Sequence, residues 1–194
     1  MKRKTRAEKH AVQGWVEVVL EENRAVLETL PDEAAQDFIV KLKDARSVFF
    51  CAQGRSGFIL RCFCMRMMHL GFEVYFCGET ITPAISQEDL LVVLSGSGET
   101  PATVAAVSSA KAQNAKTYGI LGNMNSRAAS LVDNSIHLPG TTKLCRDSEP
   151  GSQQMAGSLF EQSAFLFLEA VILDLFRQKE KEVGRLSARH ATIE

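Results

Sequence analysis

No stretch of this chain stays apolar for the roughly 18 to 20 residues that a membrane-crossing helix needs. Nor does charge of one sign dominate: 22 Lys and Arg stand against 23 Asp and Glu, a net charge of −1. The first absence excludes a transmembrane helix. The second removes the electrostatic reason to expect nucleic acid or an acidic membrane surface as a partner. The basic opening "MKRKTRAEKH" lacks the apolar core of a signal peptide and reads as a solvated, frayed end. The 5 cysteines are odd in number and form no C-x-x-C pair or Cys/His spacing suited to zinc. Most sit in apolar runs ("VFFCA", "RCFCM", "VYFCG"), where cysteine behaves as a small hydrophobe, so a reducing cytoplasm is the expected compartment. There is no linker, repeat or low-complexity tract, and 194 residues suit one domain better than two.

What is present is an alternation of periods. Residues 10–30 place Val12, Trp15, Val19, Val26 and Leu30 near helical spacing, ending at Pro31. A second helix, "DEAAQDFIVKLKDA", has Asp32 as its expected N-cap and acids in its first turn, which suits the helix dipole. Five short apolar runs then read as buried strands: 47–52, 73–78, 89–95, 116–122 and 134–140. Helices are expected between them: one after "GRSG" stopped by Gly71, one with Thr100 as N-cap and Pro101 in the first position, and the short "SRAASLV". Strands alternating with helices imply right-handed crossovers and a parallel sheet covered on both faces. The expected fold is therefore α/β: a three-layer α/β/α sandwich around a five-stranded parallel sheet, with a helical N-terminal extension over 1–46, a sheet core over 47–140 and a C-terminal helix and tail over 152–194. The polar stretch 140–158 reads as a loop at the functional edge. The last helix, about 155–182, is apolar on nearly all sides, which predicts that it is buried, against another subunit if not its own.

Ligands of a parallel sheet gather at the carboxyl ends of its strands. Two loops there leave a strand and open a helix: "QGRSGF" (53–58) and "SGSGET" (95–100). Glycines let backbone approach a ligand, hydroxyls donate, and a helix N-terminus offers free N–H groups, a combination that binds phosphate. No Gly-Lys-Ser/Thr follows either loop, and Pro101 stands where a dinucleotide fingerprint needs its last glycine. A small phosphorylated metabolite fits better than a nucleotide; the alternative is a pair of Ser/Gly-rich turns without a ligand. The candidate contacts are Gly54, Arg55 and Ser56 in the first loop and Ser95, Gly96, Ser97, Gly98, Glu99 and Thr100 in the second, with Arg55 equally readable as a solvated side chain. Glu79 and Thr80, after the second strand, lie at the same edge and either meet a sugar or form a plain turn.

Glu161 lies in the final helix, in line with Phe165, Leu168 and Ile172. A carboxylate on an apolar stripe is costly unless paired, protonated or used, so it is either a general base or the partner of a buried arginine such as Arg61 or Arg66. His69 stands in the last turn of its helix, where the dipole alone accounts for it. His137 reads as a core or sheet residue, and His190, in "ARHATIE", as part of a disordered tail.

The strings "GRSGFILRCFCMRMMHLGFEVYFCGETITPAI", "DLLVVLSGSGET", "SLFEQSAFLFLEAVI" and "ARHATIE" resemble the 6-phospho-3-hexuloisomerases of the sugar isomerase (SIS) domain family, across roughly residues 40–194. "MRMMHLGF" and "GETITPAI" are more specific to that group than the serine loop is. Gln53 and the segment "GSQQMAGSLFEQ" depart from its pattern. The resemblance implies a flavodoxin- or Rossmann-like sheet and conversion of D-arabino-3-hexulose 6-phosphate to fructose 6-phosphate. The chemistry is proton transfer through a cis-enediol, with no metal or redox cofactor. It implies Glu161 as base, His69 or His190 as proton shuttle, the two loops as phosphate clamp, and a homo-oligomer, commonly a tetramer, working beside a hexulose-6-phosphate synthase. Two other readings stand beside it: a different SIS isomerase, acting on arabinose 5-phosphate or sedoheptulose 7-phosphate, and a sugar-phosphate-binding regulator. Against the regulator, only about 46 residues precede the first strand, and they hold no convincing recognition helix.

Overall fold

The structure, a computed structural model, describes residues 11–140 and 152–178. Six helices and five strands occur among them: α1 (Ala11–Leu27), α2 (Asp32–Asp44), β1 (Val48–Cys51), α3 (Gly54–His69), β2 (Val74–Phe76), β3 (Leu90–Ser95), α4 (Pro101–Ala112), β4 (Lys116–Leu121), α5 (Arg127–Leu131), β5 (Asn134–His137) and α6 (Ser158–Gln178). The sheet is parallel throughout, in the order β2-β1-β3-β4-β5. This is the flavodoxin-like doubly wound order.

The strands read as continuous apolar runs because each buries both faces, and residue parity decides which face. Val48, Phe50, Val92, Leu94 and Ile120 point into the larger core, made with Phe38, Phe63, Phe160 and Phe167 of α2, α3 and α6. Phe49, Cys51, Leu91 and Val93 point into a smaller core with Val107 and Ala110 of α4. A one-residue slip in register would exchange the two sets. Gly71 ends α3 as expected, with φ of +92°, its amide donating to Met68 O at 2.9 Å.

Three expectations change. Pro31 holds the N-cap position of α2, and Asp32 is the first helical residue, a gain of fixed φ in place of a capping side chain. The last helix begins at Ser158, three residues later than the apolar pattern suggests, because Gly157 adopts φ of +90°. Nor is α6 covered all round: Phe165, Leu166 and Leu173 are exposed, so the stripe that joins Phe165 to the buried Leu168 is split. Val12, Trp15, Val16 and Leu20 of α1 are exposed as well.

Candidate active site

The strand order reverses between β1 and β3. Chain leaving β1 passes through α3 to β2 on one side; chain leaving β3 passes through α4 to β4 on the other. The outgoing loops therefore diverge and open a crevice at the carboxyl edge, the place where α/β sheets bind ligands. They are the two glycine- and serine-rich loops.

In the first, Gly54 takes φ of +59° and starts α3. A Cβ at Gly57 would come within 3.1 Å of Ala52 O, so glycine lets the helix spring directly off the strand. Gln53 and Arg55 are exposed, and Ser56 is half-buried. In the second loop, the serines divide the work. Ser95 is buried and accepts from Gly98 N at 3.0 Å, holding the turn from inside, while half-buried Ser97 accepts from Glu99 N at 3.2 Å. Gly98, at φ of +64°, lies where any Cβ would strike the Ser126 side chain, and a Cβ on Gly122 would sit 2.6 Å from Gly96 O. The loop is thus pressed onto the 122–126 turn, too close for side chains. Thr100 occupies the N-cap of α4 before Pro101, yet its hydroxyl makes no capping bond. One turn in, Thr103 is fully buried with a hydroxyl that has no hydrogen-bond partner among the described residues. Helical spacing alone gave no sign of that residue.

Glu99 is engaged by a neighbouring helix. It accepts from Arg127 N at 2.7 Å and Arg127 Nε at 2.6 Å, bonds that hold its carboxyl below the usual range and tie the loop to α5. Sequence spacing could not pair it with a residue 28 positions on.

Glu161 stands in the first turn of α6, its side chain 14% exposed. Its partner is neither Arg61 nor Arg66 but Arg55, whose Nε donates to Glu161 Oε2 at 2.5 Å. The pair joins the loop of β1 to the end of α6 and brings the candidate base to the crevice. Two glycines shape this approach: Gly157 turns into the helix at φ of +90°, and a Cβ on Gly140 would come within 2.7 Å of Phe160 N.

The remaining candidates are placed differently. Glu79 and Thr80 are exposed in the loop after β2, beside the β1 loop; Glu79 forms an ion pair with Arg61, whose guanidinium lies 3.8 Å over the Phe76 ring. His69 is buried at the far end of α3, about 22 Å of helix from Gly54, so a single chain does not bring it to Glu161. His137, expected as a core or sheet residue, is a sheet residue: it closes β5, is exposed, and donates through Nε2 to Gly122 O at 3.1 Å. His190 and Cys145 lie outside the described residues. Among those residues no group of three or more His, Cys, Asp or Glu stands together as a metal site.

Taken together, the crevice offers two helix N-termini with open glycine backbone, hydroxyls on its floor and one oriented carboxylate at its rim. Such an arrangement suits an anionic group at the helix N-termini and proton exchange at the carboxylate. The SIS domain family model matches residues 41–145. The 3-hexulose-6-phosphate isomerase of Bacillus subtilis is 31% identical over 93% of this chain and 97% of its own length. That of Mycobacterium gastri is 43% identical over 76% of this chain and 73% of its own. A Methanococcus jannaschii protein, whose crystal structure infers a molecular function of 3-hexulose-6-phosphate isomerase, superposes with a TM-score of 0.79 at 30% identity, covering 93% of this chain and 99% of that one.

Proposed function

Since the chain belongs to the SIS domain family and is related along most of its length to 3-hexulose-6-phosphate isomerases, we propose that it interconverts D-arabino-3-hexulose 6-phosphate and fructose 6-phosphate. The observation that carries this reading is the Glu161 carboxylate, held by Arg55 at the switch-point crevice beside two phosphate-type loops.

The phosphate sits on the amides that open α3 and α4, with Ser56, Ser97 and Thr100 as hydroxyl donors and Ser95 shaping the loop from within. Gly54, Gly96 and Gly98 keep backbone accessible there. The anchored sugar chain extends toward Glu161, which removes the proton from C2. The electron pair forms the C2–C3 double bond of a cis-enediolate, its oxygen stabilised by nearby donors, Arg55 first among them. Return of the proton to C3, with a proton passing from O2 to O3, leaves the carbonyl at C2. Every atom of the substrate is retained. His69 and His190 are the residues proposed to move protons between the oxygens. The 22 Å separation means that His69 reaches a site only by contribution from one subunit to another. Glu79 and Thr80 line the β2 side of the mouth.

In this reading the reaction is the second step of formaldehyde fixation by the ribulose monophosphate route, in the cytoplasm, coupled to a hexulose-6-phosphate synthase. The test is a coupled assay: ribulose 5-phosphate, formaldehyde and a competent synthase generate the substrate, and fructose 6-phosphate is followed to NADPH through glucose 6-phosphate. Robust turnover is expected. Absence of turnover with thermal stabilisation by a sugar phosphate would overturn the substrate assignment in favour of another isomerase or a sensor.

A further inference from the structure

Glu161 lies outside the 41–145 stretch that the family model matches, and so does α1. Two adjacent residues of α1 grip the chain on either side of it. Asn23 is only 3% exposed and uses both ends of its amide. Its Nδ2 donates to Gln162 Oε1 at 2.8 Å and to Val19 O at 2.8 Å, while its Oδ1 accepts from Ser163 Oγ at 2.9 Å. Gln162 and Ser163 directly follow Glu161. Glu22 holds the segment before it: its carboxylate accepts from Ser152 Oγ at 2.6 Å, Gln153 N at 2.9 Å and Gln154 Nε2 at 3.0 Å. Burial pushes the Glu22 carboxyl up, but those three donors outweigh it and hold the group below its ordinary range, so it stays an acceptor near neutrality.

The geometry has a mechanical consequence. Successive residues of an α-helix point about 100° apart. Holding the side chains of 162 and 163 therefore sets the rotation of α6 about its axis, and with it the direction of 161. Mooring 152–154 sets where the chain enters the helix through Gly157. Across to that chain, both residues bond to stretches on either side of Glu161 and not to Glu161 itself, although Asn23 lines the same groove as Arg55 and Glu161. Burying Asn23 and giving Glu22 three donors from one short segment is more than packing α1 onto α6 requires, since apolar contacts would serve for that.

We propose that Glu22 and Asn23 are positioning residues for the Glu161 carboxylate, acting through α6 and the segment that leads into it. This rests on Glu161 being the base of the proposed isomerase, and the test separates the two ideas. Turnover of Glu22→Ala, Glu22→Gln, Glu161→Gln and the Glu22→Ala/Glu161→Gln pair would be measured in the coupled assay, per folded molecule. Glu22→Ala should lose roughly ten- to hundredfold in kcat, the scale of a displaced catalytic group, with KM for the sugar phosphate within about twofold. Glu22→Gln, which keeps one acceptor oxygen, should recover part of that loss, and it carries the same comparison should the alanine variant fold poorly. In the pair, the loss should not exceed that of Glu161→Gln alone. A lower melting temperature with unchanged kcat would overturn the positioning role, as would losses that simply add. Near-normal turnover of Glu161→Gln itself would instead remove the base, and the positioning role with it.

Discussion

The Arg55–Glu161 contact sets the expected behaviour of both partners. Glu161→Gln keeps the size and the hydrogen-bonding oxygen but cannot take a proton, so kcat should fall by roughly 10²- to 10⁴-fold while the protein still binds fructose 6-phosphate. Calorimetric binding beside the coupled assay checks this, and loss of binding would point to a clamp role instead. Arg55 is 68% exposed but Glu161 only 14%, so removing the arginine should cost some stability by leaving a largely buried carboxylate without its cation. A further cost should appear in turnover: Arg55→Ala is expected to lower kcat about tenfold or more through a misdirected carboxylate. An unchanged kcat with a raised KM would make Arg55 a phosphate contact alone. Gly98 is constrained twice, by φ of +64° and by the Ser126 side chain. Gly98→Ala should destabilise by about 2 kcal/mol or more, measured by urea unfolding. Adding Ser126→Gly should recover only the part due to crowding.

At the scale of elements, the two ends of the sheet are built from different chemistry. The carboxyl edge leaves backbone open for a ligand, whereas the amino edge is stapled by charge. Asp89, fully buried at the foot of β3, accepts from Arg46 Nε at 3.1 Å, Arg46 Nη2 at 2.9 Å, Ser86 N at 2.8 Å and Ser86 Oγ at 2.9 Å. Asp133 ties β4 to Lys111 of α4, accepting from Thr117 N at 2.9 Å and Lys111 Nζ at 2.6 Å. Burial pushes both carboxyls up, and these donors outweigh it, leaving both below the usual aspartate range. A depressed folded-state value means stability that is present above the unfolded value of about 3.9 and is lost as pH falls below it. Urea midpoints should therefore hold steady from neutrality to about pH 4 and then drop. Asp89→Asn should be less stable at neutral pH and show a shallower drop below pH 4; a drop as steep as that of the parent would place the acid sensitivity elsewhere.

At the scale of the molecule, the helices beside the candidate site carry uncovered apolar side chains. Trp15, Val16 and Leu20 of α1, Phe58 at 72% exposure on α3, and Phe165 and Leu166 of α6 lie around the helices that carry Arg55 and Glu161. Leu20, Phe165 and Leu166 line one groove with Arg55 and Glu161, and exposed apolar side chains gathered in this way are the ground for expecting a contact surface. The protein is expected to sediment as a homo-oligomer, a tetramer by the family resemblance. Leu166→Glu combined with Trp15→Glu should shift it toward smaller species. Loss of activity on dissociation, with folding retained by circular dichroism, is the companion result expected from the proposal that His69 serves a neighbouring subunit's site. Full activity in the dissociated form would exclude that route.

The order of helices and strands, the parallel sheet and the two loops at its carboxyl edge were readable from residue patterns alone. Each depends on local period or on glycine, serine and proline at fixed spacing, and such signals survive without knowledge of the fold. What only the tertiary structure decided was pairing across long separations. Glu161 met Arg55, 106 positions away, and not Arg61, which turned to Glu79. Glu99 was drawn to Arg127. The apolar faces of α1 and α6 were visible in the pattern, but which turns would be covered was not, since coverage depends on how far neighbouring helices reach. A charged side chain has many partners within its means along a sequence, and only packing selects one.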